Sequence, residues 1–383
     1  MKKTIVTGMV LLVTLFCNAQ EYTLVWEDDF NSPVLNEMQH WTVEVDGNGS
    51  GNNEMQYYRR ENVTIEPHPS GANCLVLSAK RENYLGKVAT SGRLVTHNKI
   101  SCRYGKIEAR IHLPETANGL WPAFWMMGED YPTAGWPKCG EIDILEMGNS
   151  YGIQTGTQDR YFNGACHWGE SWNNGAYPNY AQSATWATSL QDDFHLFTLI
   201  WDETSIKMYV DLDKTPNVQP YFVMNIAGQD VAGNVGRYFH KPFFILLNLA
   251  VGGNFTGITG NSNINKITAL PADGTPIKMW VDYVRIYQKG NSNELYSGPA
   301  LSTNVSEHGA SAGIFPNPTK GELNVAALQP LNHVAIYSNA GRLLKTIHSP
   351  SAQLDVSSLD SGLYLLKLVY LDKSTEILKF TKL

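Results

Sequence analysis

The sequence predicts an all-β protein built as a two-sheet antiparallel sandwich, followed by a second, smaller β-rich unit. Between residues 21 and about 288, stretches with helical periodicity are nearly absent. In their place are short runs that alternate polar and apolar residues or are rich in β-branched and aromatic residues, separated by turn signals. Many short strands without alternating helices are typical of a sandwich.

The strand-like runs continue along the whole of this region. They are LVLSAKRE (75–82), KIEARIHL (106–113), HLFTLIW (195–201), SIKMYVDL (205–212), FFILLNLAV (243–251) and KMWVDYVRIY (278–287). The net charge of −7 comes with no basic stripe, so we expect no nucleic-acid partner. The 10 Trp, 19 Tyr and 33 Gly suit a β-rich protein that handles sugars, and we expect a monomer.

The first 20 residues predict a secretory signal peptide. Two lysines precede an apolar stretch over 5–16, and small residues at 17–19 provide a cleavage site. The apolar stretch is shorter than the ~20 residues that a membrane span requires. We therefore expect export into a compartment that permits disulfides. The cysteines that remain after cleavage are Cys74, Cys102, Cys139 and Cys166, and their pairing is left open.

The composition changes after the first β-rich region. Residues 289–311 are polar, small and rich in Gly and Ser, which predicts a linker. Residues 312–383 contain about seven short strand-like runs but no acidic cluster, which predicts a non-catalytic β-sandwich domain. The predicted organisation is a signal peptide (1–20), a catalytic domain (21–288), the linker and this C-terminal domain.

The run GEIDILEMG (140–148) places three carboxylates in one predicted strand. Because side chains alternate between the faces of a strand, Glu141 and Asp143 share a face, whereas Glu146 would point into the apolar layer. An unpaired buried charge costs several kcal/mol. A β-bulge at Ile144-Leu145 would shift the alternation by one residue and return Glu146 to the face of the other acids. We therefore predict a bulge and three acids in a row.

Three acids in a row fit retaining glycoside hydrolysis. This reaction needs two carboxyls about 5–5.5 Å apart, one as nucleophile and one as acid and then base. A short Asp between two Glu residues can tune their pKa values. The alternatives are a solvated acidic strand face or a calcium site. The aromatic flanks LWPAFWMM (120–127) and GACHWG (164–169) favour a cleft, and the calcium-loop pattern is absent from the sequence.

These residues resemble a known family. GEIDILEM, preceded by GLWPAFWMMG (119–128) and GWPKCG (135–140), resembles the signature of glycoside hydrolase family 16, and more narrowly its laminarinase-like branch. The resemblance extends over nearly all of 22–288. Its other landmarks are LVWEDDFN (24–31), GNNEMQYY (51–58), SGRLVTHNKISCRYGKIEARI (91–111), LNLAVGGNF (247–255) and MWVDYVRIY (279–287).

The resemblance implies a jelly-roll sandwich with a concave substrate cleft and no cofactor for catalysis. It implies Glu141 as nucleophile, Asp143 as helper and Glu146 as acid/base. The expected activity is that of a secreted, retaining endo-β-glucanase that cleaves β-1,3 or mixed β-1,3/1,4 glucans. Phe255 stands where a Trp is common in the family, so the linkage preference is left open.

Aromatic side chains near the acids are candidate substrate contacts. Trp121, Trp125 and Trp136 are expected to stack on the apolar faces of sugar rings, with core packing as the alternative for each. The residues Asn53 and Arg93 lie in segments like those that contact substrate in the family, and are expected to hydrogen-bond sugar hydroxyls.

Two further residues have predicted roles. His167 is expected near the acids on the next strand, where it could bond Asp143 or a sugar. Asp282 resembles an aspartate that helps to hold a structural calcium on the convex side of many family members. Backbone carbonyls supply other ligands to that calcium, so the sequence offers only this one side chain for the site.

Three alternative functions are compatible with parts of this sequence. One is a relative that cleaves algal galactans such as agar or carrageenan. A sulfated substrate should need several cationic residues at the cleft, which offers mainly Arg93, Lys138 and Arg160. A non-catalytic glucan-binding protein would lack one of the acids, and all three are present. The serine-hydrolase pattern G-x-S-x-G occurs at 148–152, but we expect no helix after it, and that motif requires one.

The C-terminal unit resembles the sorting domain of the type IX secretion system. GIFPNPTKGELNV (313–325), VAIYSNAGRLLKT (334–346) and LDVSSLDSGLYLLKL (354–368) carry the resemblance. It implies export to the cell surface or beyond by the outer-membrane secretion machinery, with removal of this domain left open. A carbohydrate-binding module is the alternative, but the aromatic residues Tyr364 and Tyr370 lie inside apolar runs.

Overall fold

The chain forms two compact units, 1–299 and 300–383. The computed structural model describes residues 22–172, 176–228, 235–299, 312–327, 330–338, 343–348, 350, 353–371 and 375–383. The predicted signal peptide and the later part of the predicted linker, 300–311, lie outside the described residues.

Strands account for most of the regular secondary structure of the first unit. They are β1 Thr23–Asp28, β2 Thr42–Val43, β3 Gln56–Tyr58, β4 Val63–Pro67, β5 Asn73–Ala79, β6 Ala89–Ser91, β7 Arg93–Val95, β8 Ser101–Arg103, β9 Gly105–His112, β10 Leu120–Gly128, β11 Glu141–Met147, β12 Tyr161–His167, β13 Asn179–Thr185, β14 His195–Trp201, β15 Ser205–Val210, β16 Phe222–Asn225, β17 Phe243–Val251, β18 Ile277–Gln288 and β19 Leu295–Ser297. Its short helices are α1 Tyr131–Ala134, α2 Ser150–Thr155 and α3 Gly236–Phe239, with 3₁₀ turns at Arg60–Asn62 and Asn261–Lys266. The prediction of an all-β fold is confirmed.

Two large antiparallel sheets form the body of this unit, and β3 and β6 pair in parallel as a small third sheet. The eight-stranded sheet has the order β16-β15-β14-β9-β18-β5-β4, with β1 beside β18. The nine-stranded sheet has the order β13-β12-β11-β10-β17-β7-β2, with β8 beside β17 and β19 beside β8. One large apolar core contains buried side chains of both sheets. The sheets form a jelly-roll sandwich of the predicted kind.

Successive side chains of a strand point to opposite faces of the sheet, one toward the core and one away from it. In β15, for example, Ile206, Met208 and Val210 are buried, and the residues between them are half-exposed. The strand β17 differs, because all nine of its residues are buried. A strand in the middle of the nine-stranded sheet is therefore covered on both sides, by the core on one and by other side chains on the other.

One boundary differs from the prediction. The range 289–311 was expected to be a linker, but β19 lies inside it and pairs with β8. The cause is a tight turn, in which the Glu294 carboxylate accepts hydrogen bonds from the backbone N–H groups of Lys289, Gly290 and Asn291. The first unit therefore includes residues that composition alone assigned to the linker.

The described residues of the second unit form seven strands. They are β20 Ala312–Phe315, β21 Glu322–Ala327, β22 Leu331–Ser338, β23 Leu343–His348, β24 Gln353–Asp355, β25 Gly362–Tyr370 and β26 Thr375–Lys382. They form a three-stranded sheet, β20-β21-β24, and a four-stranded sheet, β23-β22-β25-β26. Tyr364 and Tyr370 are buried in its core, so neither ring is an open platform for a sugar.

The sequence left the pairing of the cysteines open. All four cysteines that follow the predicted signal peptide are buried free thiols.

In the part of the chain that the structure describes, no helix is long and apolar enough to cross a bilayer.

Candidate active site

The predicted bulge lies in β11, at the middle of the nine-stranded sheet. Along β12, Asp143 pairs with Ala165 and Glu146 with Asn163, so three residue steps on β11 match two on its neighbour. Along β10, the pairing passes directly from Leu145 to Asp143. One extra residue, Ile144, is therefore inserted in β11, and the prediction of a bulge is confirmed.

The bulge separates the acids from the core. The side chains of Ile142, Ile144, Leu145 and Met147 are fully buried in the core. Two consecutive residues, 144 and 145, thus point inward, which is the change of alternation that a bulge produces. The three acids are left on the opposite face, as the sequence analysis predicted.

Two N–H donors fix the carboxyl group of Glu146. Trp121 Nε1 donates to Oε1 at 3.1 Å, and Asn163 Nδ2 donates to Oε2 at 3.0 Å. Trp121 comes from β10 and Asn163 from β12, so both neighbouring strands hold this side chain. Both carboxyl oxygens therefore have a defined position.

A different set of groups surrounds Glu141 and Asp143. Trp136 Nε1 donates to Glu141 Oε2 at 3.0 Å. His167 Nε2 lies 3.1 Å from Asp143 Oδ2 and 3.9 Å from Glu141 Oε1. Tyr177 packs on both rings, with its centroid 4.6 Å from that of Trp136 and 5.6 Å from that of His167. The predicted position of His167 beside the acids agrees with this geometry.

Burial and crowding raise the pKa of each acid in the row. Burial is the main cause, and it raises the pKa of Glu141 to about 8 and that of Asp143 to about 8. The pKa of Glu146 is raised well above its ordinary value by burial and then by the Asp143 charge. His167 and the N–H of Trp136 act in the opposite direction on the pKa of Glu141. The row as a whole therefore holds protons near neutral pH, and general acid catalysis requires one of them.

Each of the three tryptophans that were expected to be sugar platforms donates its indole N–H to another side chain of this face. Trp121 is 9 % exposed, and one face of its ring stacks on Phe255 at 4.7 Å with an interplanar angle of 15°. Trp125 is half-buried, donates to Asn248 Oδ1 at 2.7 Å and has Arg93 5.1 Å from its ring centroid. Sugar stacking by these tryptophans stays a prediction.

The remaining predicted contacts lie around this row. Asn53 is exposed and donates to Asn254 Oδ1 at 2.9 Å. Arg93 is ion-paired with Glu44, which is the ordinary structural role for an arginine. Sugar contact by these residues stays a prediction.

Sequence reasoning missed several residues of the site. Asn163 and His167 lie on the same face of β12, so strand alternation was a signal that could have found Asn163. Asn248 on β17 is 5 % exposed and opposes Ala123 of β10. Tyr177 follows the loop after β12, and no pattern in the sequence marks it.

The carboxylate of Asp282, the predicted calcium ligand, is ion-paired. Its Oδ2 accepts a hydrogen bond from Arg110 Nη1 at 2.7 Å. Among the described residues, the only cluster of acidic, histidine or cysteine side chains with the spacing of metal ligands is Glu141, Asp143 and His167 in the acid row. Backbone carbonyls would supply the other ligands at Asp282, so calcium there stays a prediction.

The prediction that no helix follows the G-x-S-x-G pattern is wrong. Helix α2 begins at Ser150, and Asn149 caps it by accepting from the Tyr151 N–H at 2.8 Å. Gly156 ends the helix with a φ of 67°. The strand before it belongs to an antiparallel sandwich, however, whereas the serine-hydrolase motif needs an α/β sheet.

Comparison with known proteins agrees with this geometry. Residues 52–224 match the model of glycosyl hydrolases family 16. A beta-glucanase of Rhodothermus marinus is 33 % identical over 74 % of this chain and 94 % of its own length. This chain belongs to glycosyl hydrolase family 16.

Two further proteins are similar to most of this chain. A Bacteroides ovatus mixed-linkage-glucan GH16 structure in complex with a G4G4G3G product is 40 % identical, with a TM-score of 0.58 over 68 % of this chain and 99 % of that one. The clotting factor G alpha subunit of Tachypleus tridentatus is 33 % identical over 73 % of this chain, which spans 36 % of that protein. The predicted class, an all-β glycoside hydrolase, is confirmed.

The C-terminal unit matches a second family. Residues 313–380 match the secretion system C-terminal sorting domain. This domain indicates export by type IX secretion to the cell surface or beyond. The predicted localisation is confirmed, and the second unit has a role other than catalysis.

Proposed function

We propose that this family 16 protein is a retaining endo-β-glucanase that hydrolyses β-1,3 or mixed β-1,3/1,4 glucans by double displacement. The observation that carries the proposal is the bulged strand β11, which puts Glu141, Asp143 and Glu146 on one face. The glucanase activity of the Rhodothermus relative and the glucan product in the Bacteroides structure support a glucan substrate.

In this mechanism, Glu146 protonates the glycosidic oxygen while Glu141 attacks the anomeric carbon. A covalent glycosyl-enzyme forms, and water then hydrolyses it with Glu146 acting as base. Because the pKa of Glu146 is raised, its carboxyl group carries the proton that the first step needs. The N–H donors that hold each glutamate keep nucleophile and acid in place between the two steps.

Asp143 serves both glutamates. Its charge raises the pKa of Glu141 and of Glu146, because like charges at short range oppose ionisation. His167 lies beside Asp143 and limits this effect by favouring the ionised forms. Asp143 therefore tunes the protonation of the pair without taking part in bond exchange.

A sulfated galactan substrate is less well supported. The three cationic residues that such a substrate would need at the cleft each have an anionic partner. Arg93 pairs with Glu44, Lys138 with Glu170 and Arg160 with Asp159. Binding a sulfate would require breaking such a pair.

The proposal is tested by supplying the protein with laminarin, barley β-glucan, lichenan and agarose, and then sizing the products. We expect oligosaccharides of intermediate length from the β-glucans and none from agarose. Proton NMR of the first products should show the β-anomer, because two displacements retain configuration. Release of the α-anomer, or products from agarose alone, would refute the proposal.

A further inference from the structure

The bulge leaves one peptide carbonyl outside both sheet ladders. Ile144 has no register partner on β10 or on β12. Its side chain is fully buried, so its backbone lies against the core and away from solvent. A buried carbonyl without a hydrogen bond is destabilising, and native proteins rarely leave one unpaired.

Tyr221 supplies the hydrogen bond that the bulge lacks. Its hydroxyl donates to the Ile144 carbonyl oxygen. Tyr221 directly precedes β16 of the eight-stranded sheet, where its N–H donates to the Met208 carbonyl at 2.9 Å. Its ring packs edge-on against Phe162 of β12, with centroids 4.9 Å apart. The side chain therefore crosses the core from one sheet to reach the bulge in the other.

The absence of a side chain at Gly164 leaves space for the ring of Tyr221. Gly164 lies on β12 between Asn163 and Ala165, opposite the bulge. A Cβ at this position would be 3.1 Å from Cε2 of Tyr221 and 2.5 Å from Sδ of Met208. A residue with a side chain would displace Met208 and press against the ring of Tyr221.

We propose that Tyr221 is a positioning residue that holds the bulge, and through it the acid/base Glu146, in the row of acids. This inference rests on the proposed function. Without the hydroxyl, the Ile144 carbonyl loses its partner, and the bulge can shift along β11. Glu146 follows the bulge by two residues and would move with it. Glu141 precedes the bulge and is held separately by Trp136.

The consequence is a selective loss of acid catalysis. A sugar leaving group needs a proton from Glu146, whereas a 2,4-dinitrophenolate leaves without one. Nucleophilic attack by Glu141 is common to both substrates. The value of kcat/KM reports the first displacement for each, so comparing two substrates with the same glycone isolates the contribution of the acid.

The experiment compares Tyr221→Phe with the wild-type protein on a β-glucan oligosaccharide and on the 2,4-dinitrophenyl glycoside of the same glycone. We expect kcat/KM to fall about 10- to 100-fold for the oligosaccharide, as misplacement of a catalytic group does. For the dinitrophenyl glycoside we expect a change below about 3-fold. Partial unfolding would reduce both rates equally, so the ratio between substrates is unaffected by the folded fraction.

Two variants calibrate the result. Glu146→Ala should show the same selectivity to a greater extent. Tyr209→Phe is the matched control, because Tyr209 lies on β15 beside Met208 but on the opposite face of that strand, and it should behave as wild type on both substrates.

Each other outcome is decisive. Equal losses on both substrates, or no loss on the oligosaccharide, would overturn the role of Tyr221 while leaving the proposed function intact. Wild-type protein that cleaves neither substrate would overturn the proposed function itself, and this inference with it.

Discussion

Two aspartate–histidine pairs, one in each sheet of the first unit, differ in what surrounds them. In the nine-stranded sheet, His167 Nε2 lies 3.1 Å from Asp143 Oδ2, and in the eight-stranded sheet, His195 Nδ1 lies 2.7 Å from Asp211 Oδ2. Asp143 is 4 % exposed and Asp211 is 8 % exposed. Nevertheless, the pKa of Asp143 is raised to about 8, whereas the pKa of Asp211 is lowered.

The difference lies in the balance of charges and donors. Burial alone would raise the pKa of Asp211, but His195, the Leu196 N–H and Lys214 together outweigh it. Asp143 shares its strand face with Glu141 and Glu146. The single histidine beside these three acids does not offset the rise in their pKa values. The pair around Asp211 is therefore built for stability, and the acid row is built to hold a proton at some expense in stability.

The largest expected difference between the two regions is in how a substitution affects catalytic turnover. Replacing Glu141 by Ala removes the nucleophile, so kcat/KM on a β-glucan should fall by at least about 10⁴-fold with the fold intact. Asp211→Asn is the matched control and should retain activity at 25 °C. Reducing-sugar release and circular dichroism measure the two quantities. Robust hydrolysis by Glu141→Ala would contradict the site.

The second prediction concerns stability, which should depend on Asp211 although activity does not. Asp211→Asn leaves His195 and the Leu196 N–H with a weaker acceptor, so we expect the free energy of unfolding to fall by about 1–3 kcal/mol. Urea denaturation at pH 7 measures this loss. An unchanged midpoint would show that the Asp211 pair is not the stabilising counterpart that we describe.

Asp143→Asn should instead stabilise the protein above neutral pH, by about 1–2 kcal/mol. The pKa of Asp143 in the folded state, about 8, lies above its ordinary 3.8. Between these values the folded protein holds a proton that the unfolded chain has released, so wild-type stability falls as pH rises through this window. Urea denaturation at pH 5 and pH 8 should show the advantage of Asp143→Asn growing with pH. A constant difference would contradict the raised pKa.

The smallest expected effect is on the pH dependence of activity. The charge of His167 lowers the pKa of Glu141, so His167→Gln should shift the acidic limb of the kcat/KM profile to higher pH by less than about one unit. The matched control, His195→Gln, should leave that limb in place. A shift to lower pH in His167→Gln would mean that His167 acts on the acids in another way.

The sequence was sufficient to predict the features that depend on alternation. The bulge follows from the cost of burying Glu146, and the shared face of the acids follows from the bulge. Asn163 could have been found by the same rule, because it lies four residues before His167 on one strand.

Contacts between distant segments could not be predicted in this way. Trp121 stacks on Phe255, which is 134 positions later, and Tyr221 reaches Ile144 from the other sheet. Arg110 on β9 donates to Asp282 on the neighbouring strand β18, although the two residues are 172 positions apart in the sequence. Local composition also concealed β19, because its pairing with β8 depends on a turn closed by Glu294.

The proposed mechanism depends most on Glu141 being the nucleophile in a row of acids created by the bulge. A 2-deoxy-2-fluoro glucan oligosaccharide with a dinitrophenyl leaving group should trap the covalent intermediate, because fluorine slows its hydrolysis. Mass spectrometry of the intact protein and then of its peptides locates the label. We predict one glycosyl group, on Glu141. A label on Glu146, or the absence of any adduct in protein that is active on β-glucan, would contradict the account.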